Sequence, residues 1–121
     1  MRLFALRGAN TVESNDAQAI VDATDALMRE LMSRNALAAD GIVSCLFTTT
    51  DDLNAEFPAV AARRLGLDSV PLLCTREIDV PGAMRNVIRV LVHYYAAADH
   101  VPQHTYLGEA QDLRSDLHSA Q

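Results

Sequence analysis

The sequence contains no lysine and no tryptophan, and it has only two cysteines among its 121 residues. The absence of lysine excludes Schiff-base chemistry, because that chemistry needs a primary amine on a side chain. Arginine supplies all ten of the strongly basic residues. Each guanidinium is permanently charged and planar, so it is suited to two-point contacts with a carboxylate or a phosphate. Any anionic ligand is therefore expected to be held by arginine.

Charge and hydrophobic runs exclude several classes of partner. Sixteen acidic against ten basic residues give a net charge of −6, which provides no global attraction to nucleic acid or to an anionic membrane. No segment approaches the ~20 consecutive apolar residues of a membrane span. Cys45 and Cys74 are too far apart for a CxxC pair, and a chain of this length does not need a disulfide. The sequence predicts a cytoplasmic protein.

The composition is that of a folded chain with one core. Half of the residues are apolar and 21% are charged, which is an ordinary globular balance. The length supports one domain over residues 1–121, with a polar, flexible tail over residues 115–121.

Hydrophobic patterning predicts alternating strands and helices. Apolar or β-rich runs predict strands over residues 3–6, 42–47, 70–74 and 105–107. Helical spacing and capping residues predict a long helix up to Arg34, a short helix over 57–65 and a second long helix over 84–95.

This order predicts an α+β fold, in which two long helices cover one face of a mixed sheet of four or five strands. Two helices are too few to cover both faces. Because an apolar sheet face is not stable in water, we expect the second face to be buried in an oligomer.

No motif for covalent catalysis or metal binding is present. The sequence has no Gly-rich phosphate loop and no GxSxG segment. Pro102 argues against a helix that would aim His100 and His104 at one metal, so the histidines are interpreted as solvated. The arginines at 7, 63 and 89 lie where strands or helices are predicted to end or at a helix flank. By spacing alone, a solvated surface charge is the simpler interpretation of each.

Several collinear segments nevertheless resemble the monofunctional chorismate mutases of the trimeric mixed α/β type. The resemblance covers nearly the whole chain. It rests on the segments LRGANTVE (6–13), FPA (57–59) with Ala62 and Arg63, VP (70–71) with Cys74, EIDV (77–80), IRV (88–90), HTYL (104–107) and Leu113 with Arg114.

The resemblance implies a homotrimer whose sheets pack as a pseudo-α/β-barrel, with an active site in each cleft between subunits. It places Arg7, Glu77, Arg89, Tyr106 and Cys74 around the substrate chorismate. The neighbouring subunit is expected to contribute Phe57 and Arg63, and Leu113 and Arg114 are expected to close the mouth.

The implied reaction is the Claisen rearrangement of chorismate to prephenate in phenylalanine and tyrosine biosynthesis, without metal or cofactor. Arg7 and Arg63 are expected to hold carboxylates, and Arg89 to donate to the ether oxygen as it gains charge. Tyr106 would position the substrate, and Glu77 would accept from the ring hydroxyl. Arg7, Glu77 and Arg89 are thus the expected catalytic residues.

Three departures from the family pattern and two alternatives accompany this interpretation. Asn10 stands where threonine is usual after RGA, and Ser115 where proline often follows Leu-Arg. Val60 stands where such enzymes often have lysine, and a lost entrance cation would weaken substrate capture more than chemistry. A reactive-imine deaminase of similar fold is one alternative, and a non-catalytic trimer that binds a metabolite is the other. Substrate turnover would discriminate between them.

Overall fold

Five strands form one mixed sheet in the computed structural model, which describes residues 1–113. In chain order the strands are β1 (Arg2–Thr11), β2 (Ile42–Thr49), β3 (Leu72–Arg76), β4 (Val87–Ala96) and β5 (Thr105–Tyr106). Their order across the sheet is β3–β2–β4–β1–β5. The β4 strand is antiparallel to β1 and β2, whereas β3 and β5 pair in parallel with β2 and β1. The predicted mixed sheet is confirmed, with five strands.

Two helices pack on one face of this sheet. The long helix α1 (Ala17–Arg34) begins where the Asp16 side chain accepts a hydrogen bond from the Ala19 backbone N–H at 3.0 Å, as an N-cap residue does. The short helix α2 (Ala59–Ala62) continues as a π-helical turn, Arg63–Leu67. Within residues 1–113, no helix is both long and apolar enough to cross a membrane.

Helix α1 lies close against β1 because Gly8 has no side chain. A Cβ atom at Gly8 would lie 3.0 Å from the Leu31 Cδ1 atom and 3.1 Å from the Leu27 Cδ1 atom. Both leucines are fully buried, and they belong to the main core between α1 and the sheet. The RGA segment of β1 is therefore fixed by close packing, with Arg7 next to this contact.

The second long helix, predicted over residues 84–95, is wrong, because most of this segment is strand β4. Six of the ten residues in β4 are β-branched or aromatic, and such residues favour strands. Asn86 precedes β4 with φ of 56°, a left-handed conformation that a right-handed helix does not accommodate. The apolar positions matched a helical period, but the observed burial alternates along the strand.

The turn before β4 is held by Asp52. Its carboxylate accepts hydrogen bonds from the Asn86 backbone N–H at 3.0 Å and from the Thr50 hydroxyl, and it lies 3.1 Å from Arg85 Nε. Arg85 also pairs with Asp51 at 3.2 Å. Burial alone would raise the pKa of Asp52, but these hydrogen bonds and the Arg85 charge together hold it below its ordinary value of 3.8.

The opposite face of the sheet carries apolar side chains and is not covered by α1 or α2. Leu3 and Tyr95 are paired neighbours on this face and are each 49% exposed, and Leu73 on the edge strand β3 is 57% exposed. We call this surface the open face. The predicted uncovered face is therefore present in the described chain.

Candidate active site

A row of paired residues crosses the open face and forms the floor of a pocket. Each of the five strands contributes one member, and consecutive members are register partners: Thr75, Thr48, Arg89, Ala9 and Tyr106. The neighbouring row runs from Leu73 through Leu46 and Leu91 to Arg7. Because side chains alternate between faces along a strand, both rows face away from α1.

A pocket of about 340 Å³ lies over these rows. Its lining brings together four residues that the resemblance placed around the substrate, namely Arg7, Glu77, Arg89 and Tyr106. Glu77 directly follows β3, and its backbone N–H donates to the Thr49 carbonyl at 2.9 Å, which fixes its position beside the sheet. Residues far apart in the sequence thus meet because the sheet register aligns them.

Arg89 and Glu77 form an ion pair inside this pocket. Arg89 Nε lies 3.3 Å from Glu77 Oε1, but the geometry is not that of a hydrogen bond. The Nε atom is buried and has no hydrogen-bond partner among residues 1–113. The Arg89 side chain as a whole is still 41% exposed. Its guanidinium is therefore only partly engaged by protein groups, which leaves donors for a ligand.

Tyr106 is nearly buried at the end of the floor. It is 8% exposed and packs against Ala9, Val87 and Leu113. Leu113 therefore packs against the cluster that contains Tyr106, and its expected role in closing the mouth stays a prediction. Arg114 and the predicted tail at 115–121 lie outside the described residues.

Three histidines form hydrogen bonds that the sequence did not predict. The Arg7 backbone N–H donates to His104 Nδ1 at 3.0 Å. This contact ties the approach to β5 to the strand that carries Arg7. His93 and His100 are half-buried and hydrogen-bond to neighbouring side chains, so the prediction of solvated histidines is wrong for these two. His104 is exposed, as predicted, and His118 lies outside the described residues.

Phe57 and Cys74 line a second pocket, of about 310 Å³. Cys74 packs against the core on the helix side of the sheet, so it faces away from Arg89. Arg63 is exposed at the end of α2 and lines neither pocket. Within one chain, these three predicted site residues are separate from the other four.

The first pocket suits binding and charge stabilisation. Two guanidinium groups, one carboxylate and one phenol converge on a floor fixed by five paired strands. Such groups can hold an anion, orient a reactant and stabilise developing charge. The buried Cys45 does not line this pocket, and burial raises the pKa of its thiol to about 12.

Sequence reasoning did not identify two threonines in the floor of this pocket. Thr48 lies between Thr75 and Arg89 in the row, and its hydroxyl oxygen is buried without a hydrogen-bond partner among residues 1–113. The sequence signal was the Thr48–Thr50 run at the end of β2, but only the register shows which of the three faces Arg89.

Comparisons with known proteins agree on one family. The family model for chorismate mutase type I matches residues 3–117. The chorismate mutase AroH of Thermus thermophilus is 44% identical over 119 residues, covering 96% of this chain and 97% of that protein. The chorismate mutase AroH of Bacillus subtilis (strain 168) is 36% identical over 122 residues, covering 97% and 94%. A solved chorismate mutase structure from Clostridium thermocellum has a TM-score of 0.86 at 44% identity, covering 90% of this chain and 98% of that one.

Proposed function

This chain belongs to the chorismate mutase type I family, and we propose that it rearranges chorismate to prephenate in the pocket formed by Arg7, Glu77, Arg89 and Tyr106. The reaction is a step in aromatic amino acid biosynthesis. It breaks a C–O bond and forms a C–C bond within one molecule, so it needs no nucleophile and no proton transfer. The observation that supports this location is the convergence of two guanidinium groups and a carboxylate on one rigid sheet floor.

Each pocket residue has a role that its chemistry fits. Arg7 binds a substrate carboxylate through its planar fork. Arg89 donates to the ether oxygen, which gains negative charge as the C–O bond breaks. Glu77 accepts from the ring hydroxyl and favours the electron-poor ring, and Tyr106 positions the substrate. Acceleration of at least ~10⁶ requires about 8 kcal/mol, so several fixed groups must act together.

A homotrimer completes the site in this proposal. The neighbouring subunit supplies Phe57 and Arg63, as the resemblance implies. Cys74 is now proposed to come from that subunit as well, because it shares the second pocket with Phe57. This arrangement accounts for the separation of the three residues from the Arg89 pocket within one chain. The exposed Leu3, Leu73 and Tyr95 side chains on the open face support such an assembly, and obligate interfaces commonly bury more than about 2,000 Å². The trimer forms a pseudo-α/β-barrel, with Leu113 and Arg114 at each mouth.

The location is inferred to be cytoplasmic, and residues 1–121 are proposed to form one domain. Both cysteines are free, which suits a reducing compartment.

Turnover of chorismate by the purified protein tests the function. We expect the chorismate absorbance to fall and prephenate to appear without added metal or cofactor. Binding of chorismate without turnover would instead support the non-catalytic alternative.

Subunit complementation tests the shared site. Arg63→Ala and Arg89→Ala subunits are each expected to be nearly inactive as homotrimers. When they are unfolded together in equal amounts and reassembled, about a quarter of the clefts should combine an intact Arg63 with an intact Arg89. Recovery of activity toward a quarter of wild type supports a site between subunits. No recovery from trimers shown to be mixed would contradict it.

A further inference from the structure

Two buried polar atoms that have no hydrogen-bond partner among residues 1–113 belong to neighbouring residues in the floor of the proposed site. They are Thr48 Oγ1 and Arg89 Nε, and their residues are direct register partners on β2 and β4. Directly opposite residues have Cβ atoms about 4.5–5.5 Å apart, so the flexible Arg89 side chain can reach the Thr48 hydroxyl. A buried donor and a buried acceptor left unpaired are costly, and such groups in a native structure need an explanation.

The Glu77 ion pair accounts for the missing hydrogen bond between the Thr48 hydroxyl and Arg89 Nε. Arg89 is drawn to within 3.3 Å of Glu77 Oε1 without making a hydrogen bond. In the proposed mechanism Glu77 turns to the ring hydroxyl of the substrate, and Arg89 turns to the ether oxygen. This movement releases the guanidinium from Glu77 and requires a new partner for its Nε–H.

We propose that Thr48 is a positioning residue whose hydroxyl accepts the Nε–H of Arg89 when substrate is bound. This inference rests on the proposed function. The hydrogen bond fixes one edge of the guanidinium, so that its terminal N–H groups are directed to the ether oxygen. The hydrogen bond between Thr48 and Arg89 therefore forms when the guanidinium is directed to the ether oxygen. Thr48 thus acts through Arg89 and not on the substrate.

The isosteric variant Thr48→Val removes the hydroxyl and tests this role. We expect kcat to fall about tenfold to a hundredfold, the range for a lost hydrogen bond to a charged group, with KM changed less than about threefold. Thr48→Ser keeps the hydroxyl and should restore most of kcat. The melting temperature of Thr48→Val should not fall, because the hydroxyl has no hydrogen-bond partner among residues 1–113. The control is Thr24→Val, whose hydroxyl donates to the Ile20 carbonyl within α1 at 2.8 Å; its kcat should be unchanged.

A double-mutant cycle separates positioning from other roles. Arg89→Lys lacks the Nε–H, so Thr48→Val should have no further effect on kcat in that background. The proposal is overturned if Thr48→Val retains wild-type kcat, or if its loss is the same in the Arg89→Lys background. A lower melting temperature or loss of the oligomer in Thr48→Val would assign the hydroxyl to structure instead. Wild-type protein that does not turn over chorismate would overturn the proposed function itself, whereas a normal wild type with a silent Thr48→Val overturns only this inference.

Discussion

Replacing Arg89 by alanine should separate substrate binding from catalysis. The proposed interaction is with charge that develops at the ether oxygen, so its loss raises the barrier more than it weakens binding of the ground state. Loss of one such donor costs about 2.7–4 kcal/mol, or at least ~10²-fold in kcat. Arg89→Lys keeps a charge but loses the planar fork, and it should also be severely impaired.

A second effect of Arg89→Ala follows from its ion pair with Glu77. The carboxylate, 25% exposed, would lose its counter-charge and face a dianionic substrate. At a separation of about 5 Å, this repulsion amounts to about 1–3 kcal/mol for effective dielectric constants between water and a protein surface. We therefore expect KM to rise as well. In the double variant Arg89→Ala/Glu77→Gln, KM should recover but kcat should not.

The assay is the initial rate of chorismate loss, measured on variants with the same oligomeric state as wild type. Arg29→Ala is the matched control, because Arg29 lies on α1 and forms an exposed pair with Asp25 at 2.8 Å that contributes at most about 0.5 kcal/mol. Arg85 is a poor control, since it pairs with three aspartates, Asp51, Asp52 and Asp79. Wild-type kcat in Arg89→Ala would refute the transition-state role. A KM that stays high in the double variant would refute the repulsion argument.

Three further predictions follow from individual groups. Glu77→Gln should lower kcat at least about tenfold, because an amide accepts from the ring hydroxyl but lacks the negative charge; an unchanged kcat would remove Glu77 from the mechanism. A thiol reagent at pH 8 should modify Cys74 before Cys45 in the native protein, since the Cys45 pKa of about 12 leaves almost no thiolate; mass mapping checks the order, and equal labelling would contradict it. The lowered pKa of Asp52 stabilises the folded state above the ordinary aspartate pKa, and this stabilisation is lost as the pH falls through the folded-state value. Acid unfolding curves should therefore shift to higher pH in Arg85→Ala, and coincident curves would exclude the Arg85 contribution.

The elements with local signals could be predicted from the sequence. Asp16 is an N-cap type followed by apolar residues at helical spacing, and α1 begins there. Three strands could be predicted from the apolar runs near residues 3, 42 and 72, because each run is short and ends in polar or turn residues. These signals lie within a few residues of the element that they predict, so no tertiary information was needed.

Strand β4 could not be assigned from its apolar spacing. Met84, Ile88, Leu91 and Tyr95 fit one side of a helix as well as they fit a continuous strand. The structure resolves the ambiguity through β1 and β2, which hydrogen-bond to β4 on both sides. Arg89 was therefore predicted as a site residue by resemblance while its element was misassigned. Thr48 was missed because a hydroxyl without a partner is a tertiary property.

The proposed site depends on strand register, which explains how this chain can fix the positions of its pocket side chains without a short sequence motif. Arg89 faces the pocket because its neighbours Ile88 and Val90 face the core, and a slip of one residue in β4 would exchange these faces. Burying a guanidinium and exposing Ile88 and Val90 would be costly, so the core enforces the position of the arginine. Arg7 is fixed in the same way by Leu6 and Gly8 on β1. A reaction that requires orientation and charge, but no nucleophile, can therefore be supported by side chains whose directions are set by the packing on the other face of the sheet.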